Sequence, residues 1–467
     1  MSANTNANHG EVEHFDHVLI GTGQAAGTLV GALPKDETIA IVEGDQVGGT
    51  CVNDGCTPTK TLIASAKVAH QARRSDTYGV TTGAVEIDWP AVRARMNELR
   101  HGGRDGLTRW FEGASHITLI RGWAAFEAPK VLRVGERRIT GDRIYLNVGA
   151  RARVPDLPGL DEVPWLDNTR ILDLEEVPRH LLVVGGSYVG LEFAQAFRRF
   201  GAEVTVLERG PRLMSREDED IAETAREILE GDGIEVLCDA EVRRVRAGSD
   251  GPELEVAHGD TERVVAGSHL LLAVGRVPNS DRLNLQAAGI ETDARGYIQV
   301  DEQLRTTADG VFAVGDVNGQ GAFTHTAVND AEIVLDEQRG GPRRLSDRTQ
   351  VYAMFIDPPL GRAGLSRREA IARGHRVLEA TRPMAKISRA KEMAETKGMV
   401  KILVDADTER ILGAAVLGVY GDELANTFAL FMQTGASWKE FRRTVLVHPT
   451  IGELMPWILD GLAPVDA

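Results

Sequence analysis

Residues 21–27 read GTGQAAG, and this glycine-rich stretch decides the fold of the first part of the chain. Residues 17–20 before it (HVLI) have the pattern of a buried strand, and the residues after it are typical of a helix. A second apolar run at 38–42 predicts another strand, which ends at Glu43. The order of strand, tight turn, helix and strand is typical of the unit from which parallel α/β sheets are built.

The spacing within this turn indicates what it binds. Gly21, Gly23 and Ala26 fit the pattern G-x-G-x-x-G/A, and Glu43 lies about 20 residues further on, as the fingerprint requires. Glycines let the backbone approach a pyrophosphate at a helix N-terminus, and an acid after the next strand accepts hydrogen bonds from ribose hydroxyls. We therefore predict a dinucleotide site here, in preference to a glycine-rich surface turn.

The same order of elements returns later in the chain. The apolar residues 181–184 predict a strand, residues 185–190 read GGSYVG, and a further strand at 203–207 ends at Glu208. This internal duplication predicts a second dinucleotide-binding unit.

The second copy departs from the first at its middle position, where Ser187 replaces glycine and weakens the predicted approach to a phosphate. Glu208 would accept hydrogen bonds from the ribose hydroxyls of NAD and repel the extra phosphate of NADP. Three nearby arginines offer that phosphate a competing site: Arg209, Arg212 and Arg216. The sequence favours NADH and leaves NADPH as the alternative.

Two proline-containing stretches indicate crossings between domains, at 154–159 (VPDLPG) and at 275–279 (GRVPN). From about residue 350 the pattern changes to alternating strands, such as 400–404 and 411–417, with helices between them. The predicted fold class is α/β, with two Rossmann-like dinucleotide-binding domains, one inserted in the other, and a C-terminal α+β domain. The predicted bounds are a disordered tail at 1–14, the first dinucleotide-binding domain at 15–153 and 277–349, the second at 154–276, and the C-terminal domain at 350–467.

Composition narrows the classes of function. Lys plus Arg total 53 and Asp plus Glu total 69, so the formal net charge of −16 argues against a nucleic-acid binder. No run approaches the roughly 18 apolar residues of a membrane span, and residues 1–14 lack the apolar core of a secretion signal. The expected location is the cytoplasm, where a close pair among only three cysteines is typically catalytic or metal-binding.

Two dinucleotide sites in one chain predict hydride transfer from NADH or NADPH to a flavin. Residues 311–316 read VFAVGD, a buried strand that ends at Gly315 and Asp316. The carboxylate of Asp316 is suitably placed to bind a ribityl hydroxyl, although a Gly-Asp pair alone is a common turn.

Residues 48–60 read GGTCVNDGCTPTK and contain Cys51 and Cys56. With Thr57 as an N-cap and Pro58 in the first helical position, Cys56 would lie at a helix N-terminus, where the helix dipole lowers the pKa of a thiol. The alternatives are two inert small hydrophobic residues or two zinc ligands, and zinc would need two further ligands that do not occur nearby. We favour a redox pair, and expect Cys238 to be buried.

Together these motifs resemble the class I pyridine nucleotide-disulfide oxidoreductases, which include glutathione reductase, dihydrolipoamide dehydrogenase and mercuric reductase. The resemblance covers almost the whole chain and rests on GTGQAAG with Glu43, GGTCVNDGCTPTK and VFAVGD. Three further stretches are most similar to the mercuric-reductase-like branch: GGSYVGLEFAQAFRRFGAEVTVLE, MFIDPPLGRAGLS and ILGAAVLGVYGDEL.

The resemblance implies a role for several residues. Cys56 would contact the flavin of a bound FAD, and Cys51 would be the interchange thiol that attacks the substrate. Lys60 would approach the flavin and pair with Glu192, while Tyr188 would gate the nicotinamide pocket. Without the family, Tyr188 and Glu192 are better interpreted as a core aromatic and a solvated acid.

The resemblance also implies the residues that contact the cofactors. For FAD they are Gly21, Gly23, Ala26, Glu43, Gly49, Thr50, Lys60, Ala125, Gly315 and Asp316. For the nicotinamide dinucleotide they are Gly185, Ser187, Tyr188, Gly190, Glu208, Gly275 and Arg276. The resemblance implies no resident metal.

Near the C-terminus, residues 447–453 read VHPTIGE and match the family's His-Pro-Thr-x-x-Glu. There His448 would be the acid/base for the interchange thiol, oriented by Glu453, and the partner subunit of a homodimer would supply it. A departing thiolate needs such a proton donor near neutral pH. Thr450 to Glu453 also has the spacing of a capping box, which gives Glu453 a structural alternative.

The chain departs from the family in two places. Residues 462–467 read LAPVDA, without the cysteine pair that mercuric reductases carry near their C-terminus, so reduction of Hg²⁺ is not favoured. Asp54 and Thr57 replace apolar residues in the redox loop, and a carboxylate between two thiols disfavours a thiolate.

Three functions remain from the sequence. The first is an FAD-dependent NAD(P)H reductase of a small disulfide or another thiol-reactive oxidant. The second is a dihydrolipoamide dehydrogenase or a mercuric reductase. The third is a non-catalytic flavin-containing redox sensor, which would need neither the two cysteines nor the charged residues of the predicted site.

Overall fold

The computed structural model of the protein describes residues 12–465. Residues 1–11, most of the tail expected from the sequence, lie outside the described residues, and the first strand begins at Glu13. The guanidinium of Arg137 donates to the Glu13 carboxylate at 2.8 and 2.6 Å, which connects the start of this strand to a neighbouring strand.

The strands, in chain order, are β1 (Glu13–Ile20), β2 (Ile39–Glu43), β3 (Ile117–Arg121), β4 (Ala124–Ala128), β5 (Val131–Val134), β6 (Arg137–Leu146), β7 (Ala150–Ala152), β8 (His180–Val184), β9 (Glu203–Leu207), β10 (Glu235–Leu237), β11 (Ala240–Ala247), β12 (Pro252–His258), β13 (Thr261–Ala266), β14 (His269–Leu272), β15 (Arg276–Pro278), β16 (Val311–Ala313), β17 (Val351–Met354), β18 (Leu360–Gly364), β19 (Val377–Pro383), β20 (Met399–Asp405), β21 (Ile411–Leu417) and β22 (Ala463–Pro464).

The α-helices are α1 (Gln24–Ala32), α2 (Gly49–Asn53), α3 (Cys56–Arg73), α4 (Trp89–Gly113), α5 (Tyr188–Phe200), α6 (Glu219–Gly231), α7 (Thr324–Gln338), α8 (Arg367–Ala372), α9 (Ser388–Glu392), α10 (Gly421–Gln433), α11 (Trp438–Arg443) and α12 (Met455–Ile458). Within the described part of the chain, no helix is long and apolar enough to cross a membrane.

The chain divides into two compact units. The first contains the described residues before Lys60 together with Ala94–Arg153 and Gly275–Arg348. Its seven-stranded sheet has the order β3-β2-β1-β6-β5-β4, and β16 also pairs with β6. Strands β3, β2, β1, β6 and β16 run parallel, so their carboxyl ends meet at one edge. The glycine-rich turn leaves this edge, which is where ligands bind in sheets of this kind.

Alternating side chains of β1 pack into two different cores, because successive residues of a strand point to opposite faces of the sheet. Leu19 packs with Leu29 of α1 and Val334 of α7 on one face. Val18 packs with Phe126 of β4 on the other. The sheet is therefore covered on both faces, as expected of parallel strands that read as continuous apolar runs.

The second unit contains Lys60–Arg93, Val154–Val274 and the chain from Thr349 onward. It holds a four-stranded parallel sheet (β10-β9-β8-β14), a three-stranded antiparallel sheet (β11-β12-β13) and a six-stranded antiparallel sheet (β17-β18-β21-β20-β19-β22). The four-stranded sheet carries the duplicated motif predicted from the sequence, and β9 and β21 have the predicted bounds. The sequence did not predict the three-stranded sheet.

The insertion of one dinucleotide unit into the other is visible in the chain path. Strands β7 and β15 pair antiparallel, with Arg151 opposite Val277, although the second motif separates them in sequence. The chain therefore leaves the first unit at β7 and returns beside that strand at β15. This confirms the predicted fold class of two Rossmann-like domains, one inserted in the other, with a C-terminal α+β domain.

Charged side chains are buried within the second unit and are matched by acids. Arg362 of β18 is almost fully buried and donates through Nε to Glu217 Oε2 at 2.7 Å. Lys401 of β20, also fully buried, lies 2.6 Å from Asp220 Oδ1 and 3.7 Å from Asp218 Oδ2. Because an unpaired buried charge costs several kcal/mol, these ion pairs hold the start of α6 against the six-stranded sheet.

Candidate active site

The first glycine-rich turn is built around a backbone contact that only glycine permits. Gly21 has φ +93°, and a Cβ atom there would lie 2.4 Å from the carbonyl oxygen of Asn147. Helix α1 starts directly after Gly23, so its first N–H groups face the turn without a capping side chain between them. A pyrophosphate is the ligand that such a turn accommodates.

The acid predicted to bind the ribose lies beside this turn. The Glu43 carboxylate accepts hydrogen bonds from the backbone N–H of Thr22 at 3.0 Å and of Asp45 at 2.9 Å. These donors orient the carboxylate at the carboxyl end of β2. The next glycine of the predicted site, Gly49, lies against the same turn, because a Cβ atom there would be 2.8 Å from Gly23 Cα.

Asn147 is a site residue that sequence reasoning missed. It follows the last residue of β6, and its side-chain amide donates to the carbonyl oxygens of Gly21 at 3.2 Å and Gly23 at 3.1 Å. The only signal in the sequence is its position after an apolar run. The parallel pairing of β6 with β1 brings the amide to the turn.

The predicted Gly315-Asp316 pair also lies at the carboxyl edge of the first sheet, after β16. Gly315 has φ +74° and donates its N–H to Asp330 Oδ2 at 2.8 Å, which orients the turn. Burial raises the pKa of Asp316 above its usual value, although the positive charge of Arg276, 3.5 Å away, opposes this shift. Arg276, which was predicted to contact the nicotinamide dinucleotide, therefore lies beside the residue predicted to contact FAD.

These residues together fit an FAD molecule, with a turn for the pyrophosphate and two carboxylates at the edge of one sheet. Gly275, also predicted for the nicotinamide dinucleotide, precedes β15 and has φ +108°. Ala125 lies within β4, where it pairs with Arg133 of β5.

We call residues 46–60 the redox segment, and its two cysteines lie on consecutive helices. Cys51 is in the short helix α2, and Cys56 is the first residue of α3. The predicted position of Cys56 at a helix N-terminus is confirmed, but the predicted cap is wrong. The N–H of Thr59 donates to the carbonyl of Gly55 at 3.0 Å, so the helix starts before Thr57 and Pro58 instead of at them.

Thr324, the first residue of α7, contacts both sulfur atoms through its side chain. Its hydroxyl lies 3.0 Å from Cys51 Sγ and 3.4 Å from Cys56 Sγ. The neighbouring Cys56 thiol and burial raise the pKa of Cys51. Sequence reasoning missed Thr324, which carries no motif of its own.

The third cysteine, Cys238, is buried as predicted, and burial raises the pKa of its thiol. Among residues 12–465, no group of three or more His, Cys, Asp or Glu side chains is arranged to hold a metal ion.

In the second unit, the predicted pair of Lys60 and Glu192 is present. Lys60 Nζ lies 2.6 Å from Glu192 Oε2, and it also lies 4.8 Å from the centre of the Phe355 ring. Glu192 is only 5% exposed, and its other oxygen accepts the Phe355 N–H at 2.8 Å. The alternative of a solvated acid is therefore wrong, because the amine and the amide compensate a buried carboxylate.

Tyr188, the first residue of α5, is held by its hydroxyl. It donates to Glu217 Oε1 at 2.7 Å, and the hydroxyl of Tyr352 bonds to the same oxygen at 2.7 Å. The two rings lie 5.7 Å apart, and burial raises the pKa of both phenols. The sequence contained no signal for Glu217, which also pairs with the buried Arg362.

The second glycine-rich turn repeats the first. Gly185 has φ +114°, and a Cβ atom there would lie 2.4 Å from the carbonyl oxygen of Ala273; at Gly190 it would lie 2.3 Å from the Gly185 oxygen. Ser187 is exposed and has an extended backbone with φ −121°. A serine therefore fits this position without backbone strain, and the expectation that it weakens the approach to a phosphate stays a prediction.

Glu208 occupies the place that Glu43 has in the first turn. Its carboxylate accepts the N–H groups of Gly186 at 2.8 Å and Gly210 at 2.7 Å. Of the nearby arginines that were considered for a phosphate, Arg212 forms an ion pair with Glu219 at 3.0 Å.

His448 and Glu453 are in contact, as the resemblance implied. Glu453 accepts from His448 Nδ1 at 2.9 Å, while the Glu453 N–H donates to Thr450 Oγ1 at 3.2 Å. Half of the capping box is thus present, but the carboxylate turns to the histidine instead of to the backbone of Thr450. The His448 side chain is 76% exposed and follows the exposed Val447.

Comparison with known proteins gives a consistent result. The family model described as pyridine nucleotide-disulphide oxidoreductase matches residues 15–331, and the dimerisation domain of that family matches residues 351–459. The probable pyridine nucleotide-disulfide oxidoreductase RclA of Escherichia coli K12 is 36% identical over 449 residues, which cover 94% of this chain and 97% of the relative. A mercuric reductase of Bacillus cereus is 31% identical over 441 residues, which cover 94% of this chain and 70% of that protein.

Among solved structures, the Cu(II) complex of the HOCl-induced flavoprotein disulfide reductase RclA from Escherichia coli has a TM-score of 0.85. It is 34% identical in sequence, and the match covers 96% of this chain and 99% of that chain.

We predict that Thr324→Val lowers the reactivity of the two neighbouring thiols. A hydrogen bond to a charged group contributes about 1.5–3 kcal/mol, so its loss should slow alkylation of Cys51 and Cys56 about tenfold at pH 7. Iodoacetamide labelling of the reduced protein, followed by mass spectrometry, measures the rates. Thr324→Ser keeps the hydroxyl and should react like the wild type, while buried Cys238 serves as an internal reference. An unchanged rate in the valine variant would show that the hydroxyl does not stabilise a thiolate.

Proposed function

Because the chain belongs to the pyridine nucleotide-disulphide oxidoreductases, a family of FAD-dependent enzymes, we propose that Cys51 and Cys56 carry its electrons to a small disulfide or another thiol-reactive oxidant. The observation that carries this proposal is the placement of the two sulfurs around one hydroxyl, with Thr324 Oγ1 3.0 Å from Cys51 Sγ and 3.4 Å from Cys56 Sγ. Two inert hydrophobic residues would need no such donor.

FAD, when bound, supplies the acceptor for a hydride from NADH or NADPH and the donor of two electrons to the cysteine pair. The turn at Gly21 and Gly23 would hold its pyrophosphate, Glu43 a ribose and Asp316 the ribityl chain. The backbone contact between Gly21 and Asn147, which leaves no room for a side chain, supports this assignment.

The reduced cysteines would reduce a disulfide RSSR in two exchanges. Cys51 Sγ attacks one sulfur of RSSR, which forms a mixed disulfide and releases the first RS⁻. Cys56 Sγ then attacks Cys51 Sγ, which forms the Cys51–Cys56 disulfide and releases the second RS⁻. The net reaction is NAD(P)H + H⁺ + RSSR → NAD(P)⁺ + 2 RSH. Cys56 is the more exposed of the two in the isolated chain.

The protons for the departing thiolates would come from His448 of a second copy of the chain. Its Nδ1 contact with Glu453 at 2.9 Å orients the ring and leaves Nε2 to act as the acid. The matched dimerisation domain and the 76% exposure of the His448 side chain both support a site completed by a homodimer.

NADH is the proposed co-substrate. Glu208 is oriented by two backbone N–H groups at the place where a ribose diol would bind, and its charge repels the extra phosphate of NADPH. Arg212 forms an ion pair with Glu219, so its charge is partly compensated and attracts the extra phosphate of NADPH less strongly. This contact further favours NADH.

The oxidant belongs to the class that reacts with thiols. The relative from Escherichia coli is described as an HOCl-induced flavoprotein disulfide reductase, and its Cu(II) complex is known. We infer that this protein reduces a disulfide or another product that thiol-reactive oxidants such as HOCl form. A non-catalytic sensor is disfavoured by two charged pairs that it does not need, Lys60–Glu192 and His448–Glu453.

Replacing each cysteine separately tests the assignment. Purified protein should be yellow, and reduction by two electrons should produce a long-wavelength charge-transfer band. Cys56→Ser should abolish this band because the thiolate beside the flavin is lost. Cys51→Ser should keep flavin reduction by NADH but abolish disulfide reduction. Stopped-flow spectroscopy with glutathione disulfide, lipoamide, Hg²⁺ and Cu(II) measures each half-reaction. A band that persists in Cys56→Ser would refute the assignment of Cys56.

The nicotinamide preference is tested by Glu208→Gln. We expect wild-type kcat/KM to be higher with NADH than with NADPH. Loss of the charged acceptor should lower the NADH value about tenfold or more, since such bonds contribute about 1.5–3 kcal/mol, while the NADPH value should not fall. Glu203→Gln, at the exposed opposite end of β9, is the matched control. A wild-type preference for NADPH would contradict the proposal, and an equal fall with both coenzymes would indicate a damaged turn.

Hybrid dimers test the shared site. Cys51→Ser chains and His448→Ala chains should each be inactive alone. In a hybrid, one of the two sites regains both native residues, so turnover per hybrid should be about half that of the wild type. Differently tagged chains allow the hybrids to be purified before assay. Inactive hybrids of verified composition would show that each chain supplies its own acid.

A further inference from the structure

A carboxylate lies between the two cysteines of the redox segment, and an arginine from a different helix forms an ion pair with it. Asp54 follows α2, and its Oδ1 accepts from Arg100 Nη2 of α4 at 2.8 Å. Arg100 is only 6% exposed, and the side chain of Asp54 is 24% exposed. The sequence identified Asp54 as a departure from its family but contained no signal for its partner, which lies 46 residues away.

The contact belongs to a continuous interface between α4 and the redox segment. Gly103 packs so closely that a Cβ atom there would lie 3.2 Å from Val52 Cγ1, next to Cys51. Arg104 Nη1 donates to Gln46 Oε1 at 2.7 Å, just before α2. Residues three and four apart share one helix face. The face formed by Arg100, Gly103 and Arg104 therefore contacts the redox segment before, within and after α2.

The electrostatic consequence follows from the position of Asp54. A carboxylate near a thiol disfavours the thiolate, because two like charges are brought together. The guanidinium of Arg100 cancels that charge at hydrogen-bond distance, and the burial of Arg100 reduces screening of the pair by solvent. Asp54 lies three residues after Cys51 and two before Cys56. Removing one partner would therefore shift the net charge of this segment, with opposite signs in the two cases.

We propose that Arg100 is a positioning residue for the redox pair: by neutralising Asp54, it sets the pH range in which the reduced cysteines hold a thiolate. This rests on the proposed function of Cys51 and Cys56. Because Arg100 offsets the charge of Asp54, the loop between the cysteines can be polar without disfavouring the thiolate.

Other charged or titratable groups lie close in sequence to Cys56, Arg100 or Thr324. Lys60, one turn after Cys56 on α3, is paired with Glu192. Arg104 lies 3.5 Å from Asp105 on α4. His325 follows Thr324 on α7, where its ring stacks on Phe323 at 5.5 Å. None of these is altered in the variants of Arg100 and Asp54.

The test is the pH dependence of the charge-transfer band in the two-electron-reduced holoenzyme. In Arg100→Met the carboxylate of Asp54 loses the positive charge of this guanidinium, so the midpoint of the band should move to higher pH by about one unit. In Asp54→Asn the guanidinium of Arg100 loses the negative charge of this carboxylate, so the midpoint should move to lower pH. The double variant, which carries neither charge, should return to within a few tenths of a unit of the wild type.

Opposite shifts distinguish charge from structure. If Arg100 only braces the loop, both single variants would disturb the loop alike, and the midpoints would move in the same direction; that result would overturn the proposal, as would unchanged midpoints. Arg100→Lys keeps the charge and should retain most of the wild-type midpoint. Arg104→Met is the matched control on the same helix face, because its contact on the redox segment is the neutral Gln46, and it should shift the midpoint little.

A second measurement separates this proposal from the function on which it rests. The pH profile of iodoacetamide labelling at Cys51 and Cys56 needs no flavin, and should show the same opposite shifts. A wild-type protein without the band would refute the flavin contact of Cys56, while the labelling profiles would still decide the role of Arg100. If Arg100→Met does not fold, Arg100→Gln with Asp54→Asn provides the same comparison.

Discussion

The site depends on one close approach between two backbone segments. Gly21 can lie against the carbonyl of Asn147 only because it has no side chain, and this contact joins the ends of two parallel strands. The turn, the N-terminus of α1 and the amide of Asn147 then share one edge of the sheet. The cysteine segment follows directly in the chain and packs on the same turn through Gly49. A larger residue at Gly21 would disturb all of these at once.

The protein uses this device twice. Gly185 repeats the contact against Ala273, and in each copy a glutamate at the end of the following strand is held by backbone N–H groups of the turn. The second turn tolerates Ser187, because that position has an ordinary extended backbone. The two turns therefore share their architecture.

Most charged residues of the site are paired, and the pairing makes burial tolerable. Lys60 compensates Glu192, Arg100 compensates Asp54, and Glu453 orients His448. Where the carboxylate is buried, as at Glu192, pairing with an amine offsets the cost of removing its charge from water. In each pair the contact also fixes the position of a charged side chain.

The sequence by itself determined the fold class, the duplication and the family, because these depend on short patterns of neighbouring residues. Strands β9 and β21 followed from local periodicity. Cap signals placed Cys56 near a helix N-terminus, although α3 begins at Cys56 itself and not after a cap at Thr57. Tertiary structure alone decided that Thr324 bridges two sulfurs 273 and 268 residues away, that Asn147 reaches the first turn, and that Arg100 meets Asp54. The reason is physical: periodicity reports which face of an element is buried, whereas contacts between distant residues depend on which strands and helices become neighbours.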